Sequence, residues 1–485
     1  MPETQRPLRF AIIGAGMSGI LSAIRLRELG LDEFTVYEKA DRLGGTWRDN
    51  TYPGLTCDVP SPLYSYSFAP NPEWSRHYSP GGEIQAYLEG VARERGVLRF
   101  MRFGDEIVSA NFDDGRWHLE TASGHRDTVD VVIAATGVLH RPRLPVIEGL
   151  DTFRGAVFHS ARWDHSVALD GARFGLIGTG STGVQIVSAL VDRVARLSLF
   201  QRTAQWIMPL ENPSYSEEEK AAWRKEPASA VELHRNLGEL FSVFSNAIVD
   251  ADSERMKGVE QMCLDNLEKN VHDPALRERL RPNYRAGCKR LVISPDFYAA
   301  IQRPHAELVS EAITRLEPEG VRTADGRLHP LDVLVLATGF QTDSFMRPMQ
   351  ITGRGGRTLA QEWQQRPSAY LSISIPEFPN LFMLNGPNGP VGNFSLIEVA
   401  ELQLNYILQL VDRLRSGEAR EISATRAALD AFEAARTEAA RTTIWMTGCK
   451  SWYLDDRGVP ASWPWPFSHF IDEMRAPRPE AFELR

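Results

Sequence analysis

Two hexapeptides carry the residue types that cradle a phosphate: Gly14-Ala15-Gly16-Met17-Ser18-Gly19 and Gly178-Thr179-Gly180-Ser181-Thr182-Gly183. In such a loop the first glycine makes a tight turn and the second admits a pyrophosphate against backbone N–H groups. The third lets a helix pack on a strand with its amino terminus facing the anion. One copy alone is weak evidence, but both copies here stand between an apolar run and a helical pattern. The residues downstream of each copy separate their ligands. Glu38 lies 24 residues after Gly14, where a carboxylate can hydrogen-bond ribose hydroxyls and repels a 2′-phosphate. At the same 24-residue offset after Gly178 stands Arg202, followed by Thr203, and a guanidinium there suits a 2′-phosphate. This pair predicts FAD at the first loop and NADPH at the second.

A bound flavin and a bound nicotinamide support several chemistries, and the cysteines sort them. Cys57, Cys263, Cys288 and Cys449 are far apart in sequence, so a redox CxxC or CxxxxC pair, a metal site and a disulfide framework are all unexpected. That disfavours a disulfide reductase and fits a reducing cytoplasm. A flavin monooxygenase instead needs a dry pocket where reduced flavin meets O2, and a cation to hold the product of that encounter. With 54 basic against 63 acidic residues and no basic stripe, nucleic acid is not an expected partner. No run approaches the roughly 18 apolar residues of a membrane span.

These side chains need elements to position them. Leu8 to Gly14 reads as a buried strand entering the first loop, with Ile20, Leu21, Ile24 and Leu29 at helical spacing after it and Phe34 to Glu38 closing a βαβ unit. The same grammar returns at Phe174 to Gly178, with Val184, Ile186, Val187 and Leu190 on a helix and Leu197 to Arg202 as the closing strand. Two further apolar runs, Val129 to Gly137 and Leu331 to Gly339, are expected to close one sheet each. From Ser216 to Leu280 the texture is helical, opening on a capping-box pattern at Ser216 and Glu219 and restarting at Asp273-Pro274. This stretch is an inserted helical unit or a long surface excursion. Past residue 440 the chain reads as loop, rich in Trp and Pro.

Three motifs then make the chain resemble the type I Baeyer-Villiger monooxygenases. The fingerprint FxGxxxHxxxW followed by Pro or Asp stands as Phe153, Gly155, His159, Trp163 and Asp164. A longer pattern, GxWxxxx(F/Y)PGxxxD, stands as Gly45, Trp47, Tyr52, Pro53, Gly54 and Asp58. The third is Lys289-Arg290 upstream of the aromatic pair Phe297-Tyr298, where the family more often has Tyr-Tyr. The resemblance implies that Arg290 is the catalytic cation, oriented by Asp58, at a flavin C4a-peroxide that attacks a ketone. It implies that Lys289 and Arg202 share the 2′-phosphate and that Thr46, Trp47, Arg48, Asp49, Tyr64 and Ile107 contact the flavin nucleotide. Ser18 of the first loop and Gln185 after the second join the cofactor contacts. His159 and Trp163 are read as a linker fixing how the two units approach. Trp452 resembles a tryptophan on a loop that closes over NADPH, but Tyr453, Leu454 and Asp455 replace the Gly-Ala-Asn of small-ketone members, so core packing is an equal reading.

The expected fold is therefore α/β, with two Rossmann-like dinucleotide-binding domains and a helical insertion. Residues 1–145 and 371–485 would form the FAD-binding domain with a carboxyl-terminal loop. Residues 146–213 and 286–370 would form the NADP-binding domain, with 214–285 inserted. The implied activity is NADPH- and O2-dependent conversion of a bulky hydrophobic ketone to an ester or lactone by a monomer or homodimer. The Gly386 to Ser395 segment is expected to border the pocket. Competing readings are an N- or S-oxygenating flavin monooxygenase, an NADPH oxidase releasing peroxide, and a non-catalytic sensor of the two nucleotides.

Overall fold

Parallel strands buried on both faces must be apolar throughout, and the two apolar strands entering the glycine loops behave accordingly. In the computed structural model, which describes residues 7–392 and 394–485, the strand Phe10–Ile13 is wholly buried and central to a five-stranded parallel sheet. On one side lies Phe34–Glu38 and then Met101–Phe103; on the other lie Val131–Ala134 and then Leu381–Met383. The second sheet repeats the plan. Arg173–Ile177 is central, flanked by Arg196–Phe200 and Ala306–Val309 on one side and by Val333–Leu336 and Ala156–His159 on the other.

The two apolar runs expected to close the sheets do not lie at their edges. Val131–Ala134 and Val333–Leu336 each stand next to the glycine-loop strand, and the edges are Leu381–Met383 and Ala156–His159. The inward place has a use: a Cβ at Gly14 would lie 2.6 Å from the carbonyl oxygen of Ala135, and one at Gly178 would strike that of Ala337. Each Ala-Thr-Gly run thus presses a backbone carbonyl onto the first glycine of its loop.

The chain returns to the first unit earlier than residue 371. Gln350–Thr352 pairs with Ile107–Asp113 of an antiparallel layer, and Phe345, Met346, Leu359 and Trp363 share a core with Ala11, Ile13 and Val132. Apolar content alone does not reveal which sheet a segment packs against, hence the displaced boundary.

The stretch between the nucleotide units forms the helices Glu217–Lys225, Pro227–Ala247, Glu254–Asn270 and Pro274–Leu280. Ser216 and Glu219 form a reciprocal capping box, and Asp273 caps the last helix with Pro274 at its first position. Ala247, Ile248, Met256 and Cys263 pack with Trp206, Met208, Ile444, Trp445 and Tyr453, so this stretch has a core of its own shared with the carboxyl-terminal segment. That segment is more ordered than a loop. It contains the helix Phe467–Glu473 and ends in Phe482–Leu484, paired with Ile422–Ala424, while Trp445 and Trp463 are fully buried. Among the described residues no helix is long and apolar enough to cross a membrane.

One reading of the cysteines is overturned. Cys288 and Cys449, 161 residues apart, are joined in a disulfide with their Cα atoms 6.2 Å apart. Distance in sequence does not limit distance in space, so the argument from the cysteines to a reducing cytoplasm loses its premise. Cys57 and Cys263 are free and buried, and burial raises both thiol pKa values, which keeps them protonated and unreactive.

Candidate active site

The first cradle is built by close backbone approach. Gly14 has φ +103°, and a Cβ on Gly19 would overlap the Gly14 carbonyl oxygen, so the first helical turn of Met17–Glu28 can close on the loop only without a side chain there. Gly16 faces Gly45 across a gap in which a Cβ on Gly45 would lie 3.1 Å from the Gly16 Cα. Glu38, 4% exposed, accepts the Ala15 N–H at Oε2 (2.8 Å) and the Ala40 N–H at Oε1 (2.9 Å), with Arg48 Nη1 3.0 Å from Oε1. Only one of these partners is on Oε2, which leaves that oxygen able to accept a ribose hydroxyl.

Arg48 is buried among protein partners. Its buried guanidinium donates to Asp49 (2.9 Å) and to the Arg42 carbonyl (2.8 Å) as well as meeting Glu38. It braces the cradle from behind. Asp49 also lies 3.5 Å from Arg162, while Thr46, at the start of the same short turn, is exposed. Trp47 donates its indole N–H to Tyr64 (3.2 Å), whose ring meets it edge-on at 5.5 Å. Ser18 is buried and accepts from Asn385 (3.1 Å). The Ile107 side chain is sealed in the core beside Tyr37, so a contact from it to a nucleotide runs through its main chain.

The second cradle repeats the geometry. Gly178 has φ +119°, a Cβ on Gly183 would overlap the Gly178 carbonyl oxygen, and the space beside Gly180 is open for 4 Å. No side chain caps the helix Ser181–Leu190, so the N–H groups of Ser181 and Thr182 stay available to an anion. Thr179 Oγ1 donates to the Thr203 carbonyl (2.9 Å), which ties the loop to the strand end carrying Arg202. Arg202 is exposed, and neither it nor Lys289 forms an ion pair among the described residues. Burial, and then repulsion from Arg202, lower the Lys289 pKa, and its ammonium sits 4.6 Å from the centre of the Tyr284 ring. Two cations that repel one another and have no carboxylate partner among the described residues suit an anion.

Gln185 is committed elsewhere. Its amide oxygen accepts from Tyr52 (2.9 Å), and its nitrogen donates to the backbone and side-chain oxygens of Thr56 (3.1 Å each). It clamps the Tyr52 to Asp58 segment onto the second nucleotide helix.

That clamp places Asp58 against Arg290. Arg290 donates Nε–H (2.8 Å) and Nη2–H (2.6 Å) to one oxygen, Oδ2 of Asp58, and Nη1–H to the Gly392 carbonyl (3.1 Å). The pair is partly open, 32% and 24% exposed for the two side chains. Burial works against the charge of Arg290, but Asp58 and the phenol of Tyr453 outweigh it and raise the pKa above its ordinary value. A cation that cannot lose its proton, fixed at the meeting of the two nucleotide units, is suited to stabilising a developing oxyanion.

A flavin-binding monooxygenase-like family model matches residues 8–217. An uncharacterised monooxygenase of Mycobacterium tuberculosis is 49% identical over 475 residues, 98% of this chain and 96% of its own. A Baeyer-Villiger monooxygenase of Streptomyces coelicolor is 40% identical over 484 residues, 98% of this chain and 92% of its own. The chain belongs to the Baeyer-Villiger monooxygenases. The architecture of this monooxygenase also matches cyclohexanone monooxygenase from Rhodococcus sp. Phi1 in a structure bound to NADP+, 28% identical with a TM-score of 0.87 over 99% of both chains. An oxidised steroid monooxygenase bound to NADP is 29% identical, with a TM-score of 0.87 over 98% of this chain and 99% of that one.

Within the monooxygenase, His159 joins two returning segments. Its Nε2 lies 3.1 Å from the Gly339 carbonyl, and its Nδ1 accepts the Ala161 N–H at 3.1 Å, which specifies a neutral ring with the proton on Nε2. Burial lowers its pKa and favours that state. Trp163 is buried with Tyr52 and Leu169 in the core of the second unit. Trp452 is 40% exposed, its ring tilted against that of Tyr453 with centroids 4.2 Å apart, so the core-packing reading of Trp452 does not hold. Sequence reading placed Gly392 only within the segment expected to border the pocket and missed Tyr453 as a neighbour of Arg290. The only signal was position: Tyr453 directly succeeds Trp452, a residue the family resemblance brings into view.

Proposed function

We propose that the enzyme uses FAD in the first cradle and NADPH in the second to convert a hydrophobic ketone into an ester or lactone. The overall balance is ketone, O2, NADPH and a proton giving ester, NADP+ and water. FAD, once reduced by NADPH, supplies oxygen activated as a nucleophile. The chain's own residues do the rest. Glu38 accepts from ribose hydroxyls, Arg202 and Lys289 hold the 2′-phosphate, and Arg290 donates hydrogen bonds to the oxyanion that forms when the ketone carbonyl is attacked. Asp58 keeps the guanidinium aimed. The observation that carries this reading is the Arg290 geometry: two donors on one Asp58 oxygen and a third on Gly392.

The test is NADPH consumption by the flavin-loaded enzyme with a panel of cyclic and linear ketones. The expected result is stimulation by a hydrophobic ketone, with one ester formed per NADPH. Stimulation by sulfides or amines alone would favour S- or N-oxygenation, and no NADPH oxidation under any condition would return the sensor reading.

Arg202→Ala should raise the Michaelis constant for NADPH by roughly 10- to 100-fold, the cost of a charged hydrogen-bonded contact. NADH should be unaffected, which narrows the preference between the two. Unchanged selectivity would count against this cation site.

Lys289 adds a pH dependence. Its pKa is depressed, so it loses its charge on the acid side of an ordinary lysine, and NADPH affinity should weaken as pH rises into that range. Lys289→Arg should flatten the alkaline limb of the profile of NADPH Michaelis constant against pH. An identical limb in that variant would assign it to another group.

A further inference from the structure

A guanidinium anchored on a single carboxylate oxygen can pivot about that oxygen. Arg290 is anchored in this way on Oδ2 of Asp58, so its direction depends on what meets its other edge. Two groups do: the Gly392 carbonyl at 3.1 Å from Nη1, and the phenol oxygen of Tyr453. A guanidinium has only donors, so the Tyr453 oxygen accepts. The same phenol oxygen lies against Gly392 so closely that a Cβ there would overlap it, and Gly392 has φ +96°. Arginine, glycine carbonyl and phenol therefore meet at one point.

Tyr453 is held from several sides. Its carbonyl accepts from Ala461 (2.6 Å), its N–H donates to Ser451 Oγ (3.2 Å), and Leu454 bridges Pro460 to make a hairpin. Its ring is 5.6 Å from that of Trp445, and it is 4% exposed. Cys449, four residues before Tyr453, is bonded to Cys288, two residues before Arg290. Ser462, at the far end of the hairpin, donates to the Val391 carbonyl (3.2 Å), next to Gly392. Beneath them the wholly buried Arg436 donates to the Pro460 carbonyl and to Glu433, and Glu433 accepts from Asn388 (2.8 Å) in the same loop as Gly392. The hairpin and the loop share one rigid foundation. Such an arrangement is far stiffer than packing a single aromatic ring requires.

We propose that Tyr453 is a positioning residue for Arg290: its phenol oxygen, fixed by the carboxyl-terminal hairpin, stops the guanidinium from pivoting away from the reacting carbonyl. The inference rests on Arg290 being the group that meets the substrate. A small misorientation of a donor costs rate without costing binding, so the signature is a split between kcat and KM.

The test is Tyr453→Phe in the full-length, flavin-loaded enzyme. It removes one oxygen atom and keeps the buried ring. The expected result is an about tenfold fall in kcat for oxygenation, the worth of one hydrogen bond, with peroxide released per NADPH rising in step. Both Michaelis constants, anaerobic flavin reduction by NADPH, bound flavin and melting temperature should stay within twofold or within a degree or two. A second readout needs no turnover. In protein labelled with 15N-arginine, the Arg290 Nε–H signal, identified as the one lost in Arg290→Lys, should shift or broaden in Tyr453→Phe. Unchanged kcat and an unchanged signal would overturn the proposal. So would a kcat loss that comes with lost flavin or lower melting temperature, because Tyr453 would then be a packing residue only. If the wild-type enzyme oxygenates a sulfide or amine and no ketone, the reading of the reaction fails, and the same comparison on that product still decides the role of Tyr453.

Discussion

Replacing Arg290 by alanine is expected to leave flavin bound and reducible by NADPH while ester formation falls by about 100- to 1000-fold, near the limit of detection. The size reflects the group that is removed. A preorganised charged donor at a developing oxyanion is worth roughly 3–4 kcal/mol of barrier. Nothing nearby can replace it. Lys289, the adjacent cation, sits over the Tyr284 ring and is felt by Arg202. Alanine also leaves Asp58 as a partly buried carboxylate without its counter-ion, which would repel an oxyanion. Arg290→Lys should recover only part of the rate, since an ammonium cannot keep two donors on Asp58 and a third on Gly392. Single-turnover product formation from reduced enzyme, compared with the rate of anaerobic reduction, checks both halves. Near wild-type ester formation in Arg290→Ala would remove Arg290 from the catalytic centre.

The second large effect separates two glycines three residues apart. Gly180→Ala should raise the Michaelis constant for NADPH by at least about tenfold with stability unchanged, because φ is −70° and the protein leaves open space where the new methyl group would go. On the proposed reading the methyl group stands in the path of the pyrophosphate. Gly183→Ala should instead lower stability by roughly 1–3 kcal/mol, since its methyl group meets the Gly178 carbonyl and forces the helix off the loop. Thermal melts and NADPH titrations of both variants read the difference. Equal stability losses would mean that the second cradle does not have its open side at Gly180.

Features legible in the sequence were local or doubly buried. Phe34 to Glu38 reads as a strand to the residue because the strand formers Phe, Thr, Val and Tyr follow one another directly, and the Ser216–Glu219 box forms because its partners are three residues apart. The motifs likewise brought Arg290 to Asp58. The edge strands were lost. Leu381–Met383 has three residues, and Ala156–His159 is only half buried over most of its length, too little for a pattern. Arg48 and Gln185 stand in cofactor motifs, and the hydrogen bonds by which their side chains brace the protein were not legible, because a motif fixes position in the chain and not the direction of a side chain. Tyr453, Gly392 and the Cys288–Cys449 bond are contacts between segments 61 or more residues apart, set by how the hairpin folds back.

The most direct measurement of the central claim is product mass under 18O2. Flavin-loaded enzyme, NADPH and the ketone that most stimulates NADPH consumption should give an ester or lactone heavier than the ketone by one 18O atom, in amounts matching the NADPH consumed, and Arg290→Ala should give about 100- to 1000-fold less. Unlabelled product, or peroxide with no oxygenated ketone across the whole panel, would contradict the assignment.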